Sequence, residues 1–168
     1  MARNVEIKAR VEDLEAVRQA VESLTDSAPT VLRQVDTFYH CRHGRLKLRE
    51  IHGHSAELIS YIRADATGPK PSEYTCVPVA NPRLLHEALS SSLGTRGAVK
   101  KVRTLYLIGQ TRAHLDVVEG LGQYIELEVM LADDQPVSEG EQTARKLLRQ
   151  LDISEAQLVK GAYIDLLG

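Results

Sequence analysis

The stretch RNVEIKAR, residues 3–10, alternates apolar and charged side chains with a period of two. One side of the extended chain carries Val5, Ile7 and Ala9. The other side carries Glu6, Lys8 and Arg10. This alternation predicts a half-buried β-strand, because successive side chains of a strand point to opposite faces. The charged face places a carboxylate beside two cations. The charge pattern of the other strands decides whether this face contacts solvent or lines the inside of a curled sheet.

The composition fits a single domain that spans residues 1–168 and has one hydrophobic core. The chain has 43% hydrophobic and 26% charged residues, a net charge of −2 and two cysteines without CxxC spacing. The small negative charge argues against binding of a nucleic acid polymer through the whole surface, so any cationic site must be local. No apolar run reaches the roughly 20 residues of a membrane span. We therefore expect a cytoplasmic protein that does not associate with membranes.

Apolar periodicity predicts seven further strands and three helices. The predicted strands span 30–40, 44–51, 57–65, 72–79, 99–108, 111–118 and 122–131. Helix-start signals lie at Asp13, Asn81-Pro82 and Ser138. The last of them forms a predicted capping box with Glu141. We expect a loop over 68–71, a short helical turn over 154–160 and a solvent-facing turn at 52–54.

Charged side chains recur on one face of these strands, as they do in residues 3–10. The set comprises Glu6, Lys8, Lys47, Arg49, Arg63, Lys101, Arg103, Arg112, His114, Asp116, Glu126 and Glu128. For any one strand alone, a solvated face is the usual explanation. The whole set favours another explanation, because cations and carboxylates are segregated by strand while the opposite faces are strongly apolar. A sheet curled so that its charged faces line an interior, with helices packed outside, accounts for both observations.

Such an interior needs partners for its charges, because removing a charge from water costs several kcal/mol unless it is compensated. Lys and Arg offer donors matched to phosphoryl oxygens. Clustered carboxylates are hard oxygen ligands suited to Mg²⁺ or Mn²⁺, which in turn bridge phosphates. The phosphate loop GxxxxGK followed by Ser or Thr is absent, as is GxGxxG. The charged faces therefore indicate a metal-dependent polyphosphate site whose anion is held by side chains that project from strands.

Five segments together resemble the CYTH superfamily, the triphosphate tunnel metalloenzymes that include class IV adenylyl cyclases and thiamine triphosphatases. They are NVEIK (4–8), QVDTFY (34–39), RLKLRE (45–50), KVR (101–103) and HLDVVEGLGQYIELEV (114–129). The first corresponds to the ExExK signature of the family, which alone is a weak signal, whereas the order and spacing of all five are specific. The resemblance covers about residues 4–167 and is greatest to the class IV adenylyl cyclase-like branch.

The resemblance implies an α+β fold in which an eight-stranded antiparallel β-barrel forms a tunnel and helices pack outside it. It also implies a substrate that carries a triphosphate and a divalent metal cofactor, Mg²⁺ or Mn²⁺. Carried over position by position, the expected metal ligands are Glu6, Glu126, Glu128 and Asp116. The expected catalytic residues are Asp116, Glu6 and Glu126, with Asp116 or a metal-held hydroxide as the base.

The resemblance also implies a set of phosphate-binding cations. They are Lys8, Lys47, Arg49, Arg63, Lys101, Arg103 and Arg112. Glu73 and Lys160 are weaker candidates, and Tyr61 and Tyr124 either line the tunnel or fill space beside it. Two positions depart from the family pattern. Asn4 replaces the first Glu of ExExK and so removes a charge from the metal site, while Arg63 stands where many members have Lys.

Three functions are compatible with these features. The leading hypothesis is hydrolysis that releases the terminal phosphate of inorganic tripolyphosphate or of an organic triphosphate such as thiamine triphosphate. The second is cyclisation of ATP to cyclic AMP and pyrophosphate, against which the absence of Trp and the single Phe count. The third is a non-catalytic polyphosphate- or nucleotide-binding module, for which Asn4 is the main support. A monomer and a homodimer are both compatible with the sequence.

Overall fold

Eight antiparallel strands close on themselves to form a barrel in the computed structural model, which describes residues 1–168. The strands are β1 (Ala2–Arg10), β2 (Thr30–Tyr39), β3 (Arg45–Ile51), β4 (Ser55–Arg63), β5 (Lys70–Pro78), β6 (Thr95–Ile108), β7 (Thr111–Val118) and β8 (Gly122–Met130). Their order around the barrel is β1-β5-β4-β3-β2-β6-β7-β8, and β8 pairs with β1. The expected α+β fold with an eight-stranded antiparallel barrel is therefore confirmed.

Four α-helices and one 3₁₀ turn accompany the strands. They are α1 (Leu14–Glu22), α2 (Pro82–Leu93), α3 (Val137–Gln150), the 3₁₀ turn (Glu155–Gln157) and α4 (Tyr163–Leu167). The predicted cap of α1 is confirmed, since the Asp13 side chain accepts a hydrogen bond from the Ala16 amide. The Asn81 side chain likewise accepts from the Leu84 amide at the start of α2. No helix has the length and hydrophobicity that crossing a membrane requires.

One predicted helix cap and two predicted strand starts are wrong, each because a neighbouring residue or strand overrides the local signal. Helix α3 begins at Val137 with Pro136 at its N-cap and no side-chain cap, so the predicted capping box at Ser138 does not form. Strand β5 begins at Lys70, inside the segment predicted as a loop, because it pairs there with β1. Strand β6 begins at Thr95 and not at residue 99, because its pairing with β2 extends to that residue.

The main hydrophobic core lies between the outer face of β1, β7 and β8 and the helices α1 and α3. It includes Val5, Ile7, Leu115, Leu127, Leu147 and Leu148. The apolar side of the opening stretch is therefore covered by helices, whereas Glu6 and Lys8 of its charged side point into the barrel. Helix α2 has no fully buried residue, and Ile62 and Val77 on the outer face of β4 and β5 remain exposed, so the helices cover only part of the barrel.

Residues 161–167 close one end of the barrel, and we call this segment the C-terminal plug. Its Ala162, Tyr163 and Ile164 pack on barrel side chains that all lie near the same end. Those barrel side chains include Phe38, Val99, Val118 and Tyr124. Asp165 fixes the plug to the barrel through ion pairs with Arg45 and Arg96. The barrel is therefore a pocket closed at this end.

Gly140 of α3 lies so close to β1 that an added methyl group would overlap Val5. A Cβ atom there would lie 2.6 Å from Val5 Cγ2 and 2.9 Å from Leu131 Cδ2. We expect Gly140→Ala to lower the free energy of unfolding by about 1–2 kcal/mol, since overpacking costs about 1–3 kcal/mol and exceeds the gain in helix propensity. Urea unfolding measures this change. The exposed Gln142→Ala in the same helix should stay within about 0.5 kcal/mol of the wild type, and equal stabilities for all three proteins would contradict the close packing.

Candidate functional site

A cavity of about 450 Å³ occupies the interior of the barrel and is lined by side chains from all eight strands. The plug contributes Ala162 and Tyr163 to its wall. The predicted phosphate-binding residues all line the cavity, namely Lys8, Lys47, Arg49, Arg63, Lys101, Arg103 and Arg112. Among the predicted metal ligands, Glu6, Glu126 and Glu128 line the cavity, whereas Asp116 does not. The structure thus brings the predicted set together with one exception, and the roles of its members remain predictions.

Asp36 of β2 holds three of these cations. The Nε and Nη2 atoms of Arg49 each donate to one Asp36 carboxylate oxygen at 2.8 Å. The Nζ atoms of Lys101 and Lys47 lie 3.0 and 3.1 Å from Asp36 Oδ2. Burial alone would raise the pKa of Asp36, but the three cations outweigh it and hold that pKa well below its usual value. One carboxylate therefore faces three cationic side chains, and the excess of positive charge favours a bound anion.

Burial lowers the pKa of four lysines around the cavity, Lys8, Lys47, Lys70 and Lys101, and the shift is large for Lys101 and Lys70. Burial is the main cause for Lys101, and neighbouring cations add to it, so its pKa falls to about 7 despite the contact with Asp36. Burial and the charges of Arg63 and Lys8 lower the pKa of Lys70 to about 8. An anion in the cavity would favour the protonated form of both lysines. Their charge is therefore linked to the presence of an anion.

Asp116 of β7 is fully buried and has no free oxygen. The Nε and Nη2 atoms of Arg103 donate to Asp116 Oδ1 and Oδ2, both at 2.8 Å. The hydroxyl group of Tyr163 donates to Oδ2 at 2.7 Å. Asp116 is predicted to be a metal ligand and the general base, but its position outside the cavity lining and the hydrogen bonds that both its oxygens accept argue against these roles. Asp116 instead holds Arg103 and the plug in position.

Three carboxylates crowd one wall of the cavity. Strand pairing sets Glu6 opposite Glu128 and Lys8 opposite Glu126. Burial and the charges of Glu126 and Glu128 raise the pKa of Glu6. The pKa of Glu126, which burial alone would raise, is held well below its usual value by Lys8 and other donors. Three carboxylates that repel one another in a buried site form a suitable environment for a cation.

The residues on this wall fit a divalent cation. One ligand atom from each of His114, Glu126 and Glu128 lies within 4.8 Å of the other two. Carboxylate oxygens and imidazole nitrogens are both common metal ligands in proteins. Asn4, which also lines the cavity, donates from Nδ2 to Glu128 Oε2 at 2.9 Å and so orients that carboxylate.

Four residues in or beside the cavity are not among the predicted site residues, namely His114, Lys70, Asp36 and Tyr163. The period of two did place His114 on the inner face between Arg112 and Asp116, and that position was the available signal. Lys70 was hidden by the Gly and Pro residues beside it, which predicted a loop. Tyr163 could not be found from strand periodicity, because it reaches the cavity from the C-terminal plug.

The remaining candidates divide between the cavity and the surface. Tyr61 lines the cavity, whereas Tyr124 belongs to the hydrophobic cluster at the closed end. Glu73 and Lys160 are exposed and lie outside the cavity lining. Residues 52–54 form the predicted exposed turn, between β3 and β4.

Comparisons with known proteins agree with this architecture. The CYTH domain matches residues 2–163, nearly the whole chain. Over 70 residues the chain is 30% identical to the Methanocaldococcus jannaschii protein named "Putative adenylate cyclase MJ0240". That alignment spans 42% of this chain and 40% of the relative, so it covers less than half of either protein.

Solved structures with low sequence identity share the fold. The PH1012 protein of Pyrococcus horikoshii OT3 has a TM-score of 0.85 at 21% identity, over 98% of this chain and 99% of that chain. A "putative adenylate cyclase" of Vibrio parahaemolyticus has a TM-score of 0.78 at 20% identity, over 98% and 97%. The Hippeastrum protein "Putative adenylyl cyclase HpAC1", described as having a dominant triphosphatase activity, has a TM-score of 0.67 at 12% identity, over 99% and 95%. With a closed eight-stranded barrel, a charged interior and a domain match over nearly its full length, the chain belongs to the CYTH domain family.

Proposed function

We propose that the protein is a divalent-metal-dependent phosphohydrolase that releases the terminal phosphate of inorganic tripolyphosphate or of an organic triphosphate such as thiamine triphosphate. The observation that carries this proposal is the excess of buried cations around Asp36, in the same cavity as a cluster of carboxylates. A cytoplasmic location and a monomeric or homodimeric state accompany the proposal as predictions.

The cations bind and orient the phosphates. Arg49 is held flat against Asp36 by two hydrogen bonds, which leaves its remaining N–H groups free for phosphoryl oxygens. Arg103 is oriented in the same way by Asp116. Side chains that are fixed before the substrate arrives lose little conformational entropy on binding and stabilise the charge that develops during phosphoryl transfer. The arrangement supports an anion with several negative charges.

The carboxylate wall provides the second component. Glu126, Glu128 and Glu6 would hold a divalent ion, Mg²⁺ or Mn²⁺, whose chemistry is to neutralise phosphoryl oxygens and orient the attacked phosphorus. The same carboxylates would orient an attacking water. The plug and the surrounding strands limit the access of other water molecules to the closed end of the cavity. Asp116 contributes by positioning Arg103.

Cyclisation of ATP is the second candidate function. It is favoured by the names of the relatives from M. jannaschii and V. parahaemolyticus. The cavity also has apolar side chains from neighbouring strands, Leu32, Ile51 and Leu105, which could contact a nucleobase. In this reaction the ribose 3′ hydroxyl would attack the α-phosphorus and pyrophosphate would leave.

A product assay by ³¹P NMR tests the proposal. Tripolyphosphate, thiamine triphosphate and ATP are each incubated with the protein and Mg²⁺ or Mn²⁺. Orthophosphate together with a diphosphate is the expected result and identifies terminal hydrolysis. Cyclic AMP with pyrophosphate would replace the proposal by the cyclase function, and tight binding without turnover would indicate a binding module.

Binding of tripolyphosphate is expected to weaken as the pH rises above about 7. The bound anion raises the pKa of Lys101 from its value of about 7 in the free protein, so binding takes up a proton in the range between the two values. Affinity should therefore fall by up to about tenfold per pH unit in that range. Calorimetric titration without metal, in two buffers that differ in ionisation enthalpy, measures the proton uptake. Lys101→Arg keeps its charge and controls for titration of the ligand itself, and equal proton uptake by variant and wild type would contradict the role of Lys101.

A further inference from the structure

Several buried polar atoms that face the cavity have no hydrogen-bond partner, and two of them belong to residues in contact with Glu128. His114 is 4% exposed, and no side chain makes a well-aligned hydrogen bond with its Nδ1 atom. Asn4 is fully buried, and its Oδ1 atom is likewise without a partner. Both residues line the cavity. Buried polar atoms are nearly always paired, so two unpaired lone-pair atoms beside one group of carboxylates indicate that a ligand completes them.

The surroundings of His114 Nδ1 resemble a coordination site. The atom lies 3.1 Å from Glu128 Oε1 and 3.7 Å from Glu126 Oε1, without the geometry of a hydrogen bond to either. Glu128 is turned toward this point by Asn4 Nδ2, which donates to its other oxygen. One nitrogen and two carboxylate oxygens within a sphere of this size are typical of a three-ligand metal site with positions left open.

The net negative charge around His114 Nδ1 is low for a site that binds a hard cation. Lys8 Nζ lies 3.5 Å and Arg103 Nη2 3.6 Å from oxygens of Glu126, and Arg63 pairs with Glu6. Asn4 adds an amide oxygen without a negative charge. A cation that depends on electrostatic attraction to oxygen is therefore bound less well here, whereas an imidazole nitrogen adds affinity for first-row transition ions.

We propose that His114 is a metal ligand, and that with Glu126, Glu128 and Asn4 Oδ1 it forms a mixed nitrogen and oxygen site that binds a first-row transition ion such as Mn²⁺ or Co²⁺ more tightly than Mg²⁺. This inference deepens the proposed function by assigning the metal of the same cavity. It adds a ligand from β7 to the carboxylates of β8 and the Asn4 amide oxygen of β1.

Pulsed electron paramagnetic resonance of bound Mn²⁺ tests the nitrogen ligand without any triphosphate present. The wild type is expected to show modulation from a directly coordinated ¹⁴N nucleus, and His114→Gln is expected to lose it. His86→Gln, which changes a histidine outside the barrel that contacts Tyr39, should retain it. Absence of ¹⁴N modulation in the wild type would overturn the inference, and this result does not depend on whether the variant folds.

Metal affinities give a second, independent measurement. Calorimetric titration of the wild type should show Mn²⁺ and Co²⁺ binding about tenfold or more tightly than Mg²⁺, and His114→Gln should reduce that preference by about tenfold. An unchanged preference in a folded His114→Gln protein would overturn the inference. Since neither measurement uses turnover, a protein that coordinates Mn²⁺ through nitrogen but hydrolyses no triphosphate would refute the proposed function alone. A triphosphatase without ¹⁴N modulation would refute this inference alone.

Discussion

Glu126→Gln is expected to lower the rate of triphosphate hydrolysis by about 100-fold or more while the barrel remains folded. Glu126 stays ionised in the cavity because Lys8 and other donors outweigh the effect of burial on its pKa. Gln has the same size but no charge, so the cation that the carboxylates hold is bound less well at the reacting phosphate. A loss of about 3 kcal/mol of transition-state stabilisation corresponds to this decrease in rate.

The variant should separate turnover from binding. Removing a negative charge from the cavity favours an anion, so the affinity for tripolyphosphate without metal should stay the same or increase. Lys8 keeps a second negative neighbour in Glu6, which argues that the fold tolerates the change. Initial rates and calorimetric binding measure the two effects.

Glu57→Gln is the matched control. Glu57 also lines the cavity but lies outside the group formed by His114, Glu126 and Glu128, so its change should alter the rate by less than about threefold. If the folded Glu126→Gln protein hydrolyses triphosphate at the wild-type rate, Glu126 is not a metal ligand. If both variants lose activity equally, the net charge of the cavity, and not a metal site, controls the rate.

The barrel could be predicted from the sequence because the alternation of apolar and charged residues shows which side chains lie on each face of a strand. In residues 3–10 the apolar positions face the helices and the charged positions face the interior, and the same period places Lys47, Arg49, Lys101 and Arg103 inside. A pattern of period two is a local property that can be recognised in a single sequence. The face of the sheet on which each of these four cations lies followed from it.

The pairing of those charges could not be predicted in the same way. Asp116 belongs to a predicted inner face and Asp36 to a predicted strand, but Asp116 is sequestered by Arg103 and Tyr163, whereas Asp36 holds three cations at the cavity. The difference depends on side chains from other strands and from the plug, which are distant in sequence. His114 was overlooked for the same reason, since its role depends on its distance to residues of β8. Contacts across the barrel are therefore the part that required the structure.

Asp36→Asn is expected to lower the free energy of unfolding by about 3–5 kcal/mol, because it leaves buried cations without their negative partner. Asn has the same shape as Asp and keeps one acceptor oxygen, so the decrease in the free energy of unfolding measures the effect of the charge. Lys47, Arg49 and Lys101 all contact Asp36 within 3.1 Å. Urea unfolding measures the change. Asp65→Asn, which removes a partly exposed partner of Arg45, should cost no more than about 1 kcal/mol.

The pH dependence of the Asp36→Asn penalty identifies its cause. Asp36 raises the pKa of Lys101, so the variant lowers that pKa further below the value of about 7 in the wild type. At a pH between these two pKa values, Lys101 is protonated in the wild type and neutral in the variant. The variant therefore does not have to bury the Lys101 charge without its partner. The penalty should therefore be larger at about pH 5 than at about pH 8. A penalty that is equal at both values would attribute the loss to Arg49, which stays charged throughout. A variant as stable as the wild type at both pH values would show that water in the cavity compensates the charges of the three cations. The cavity would then have no excess positive charge to attract an anion.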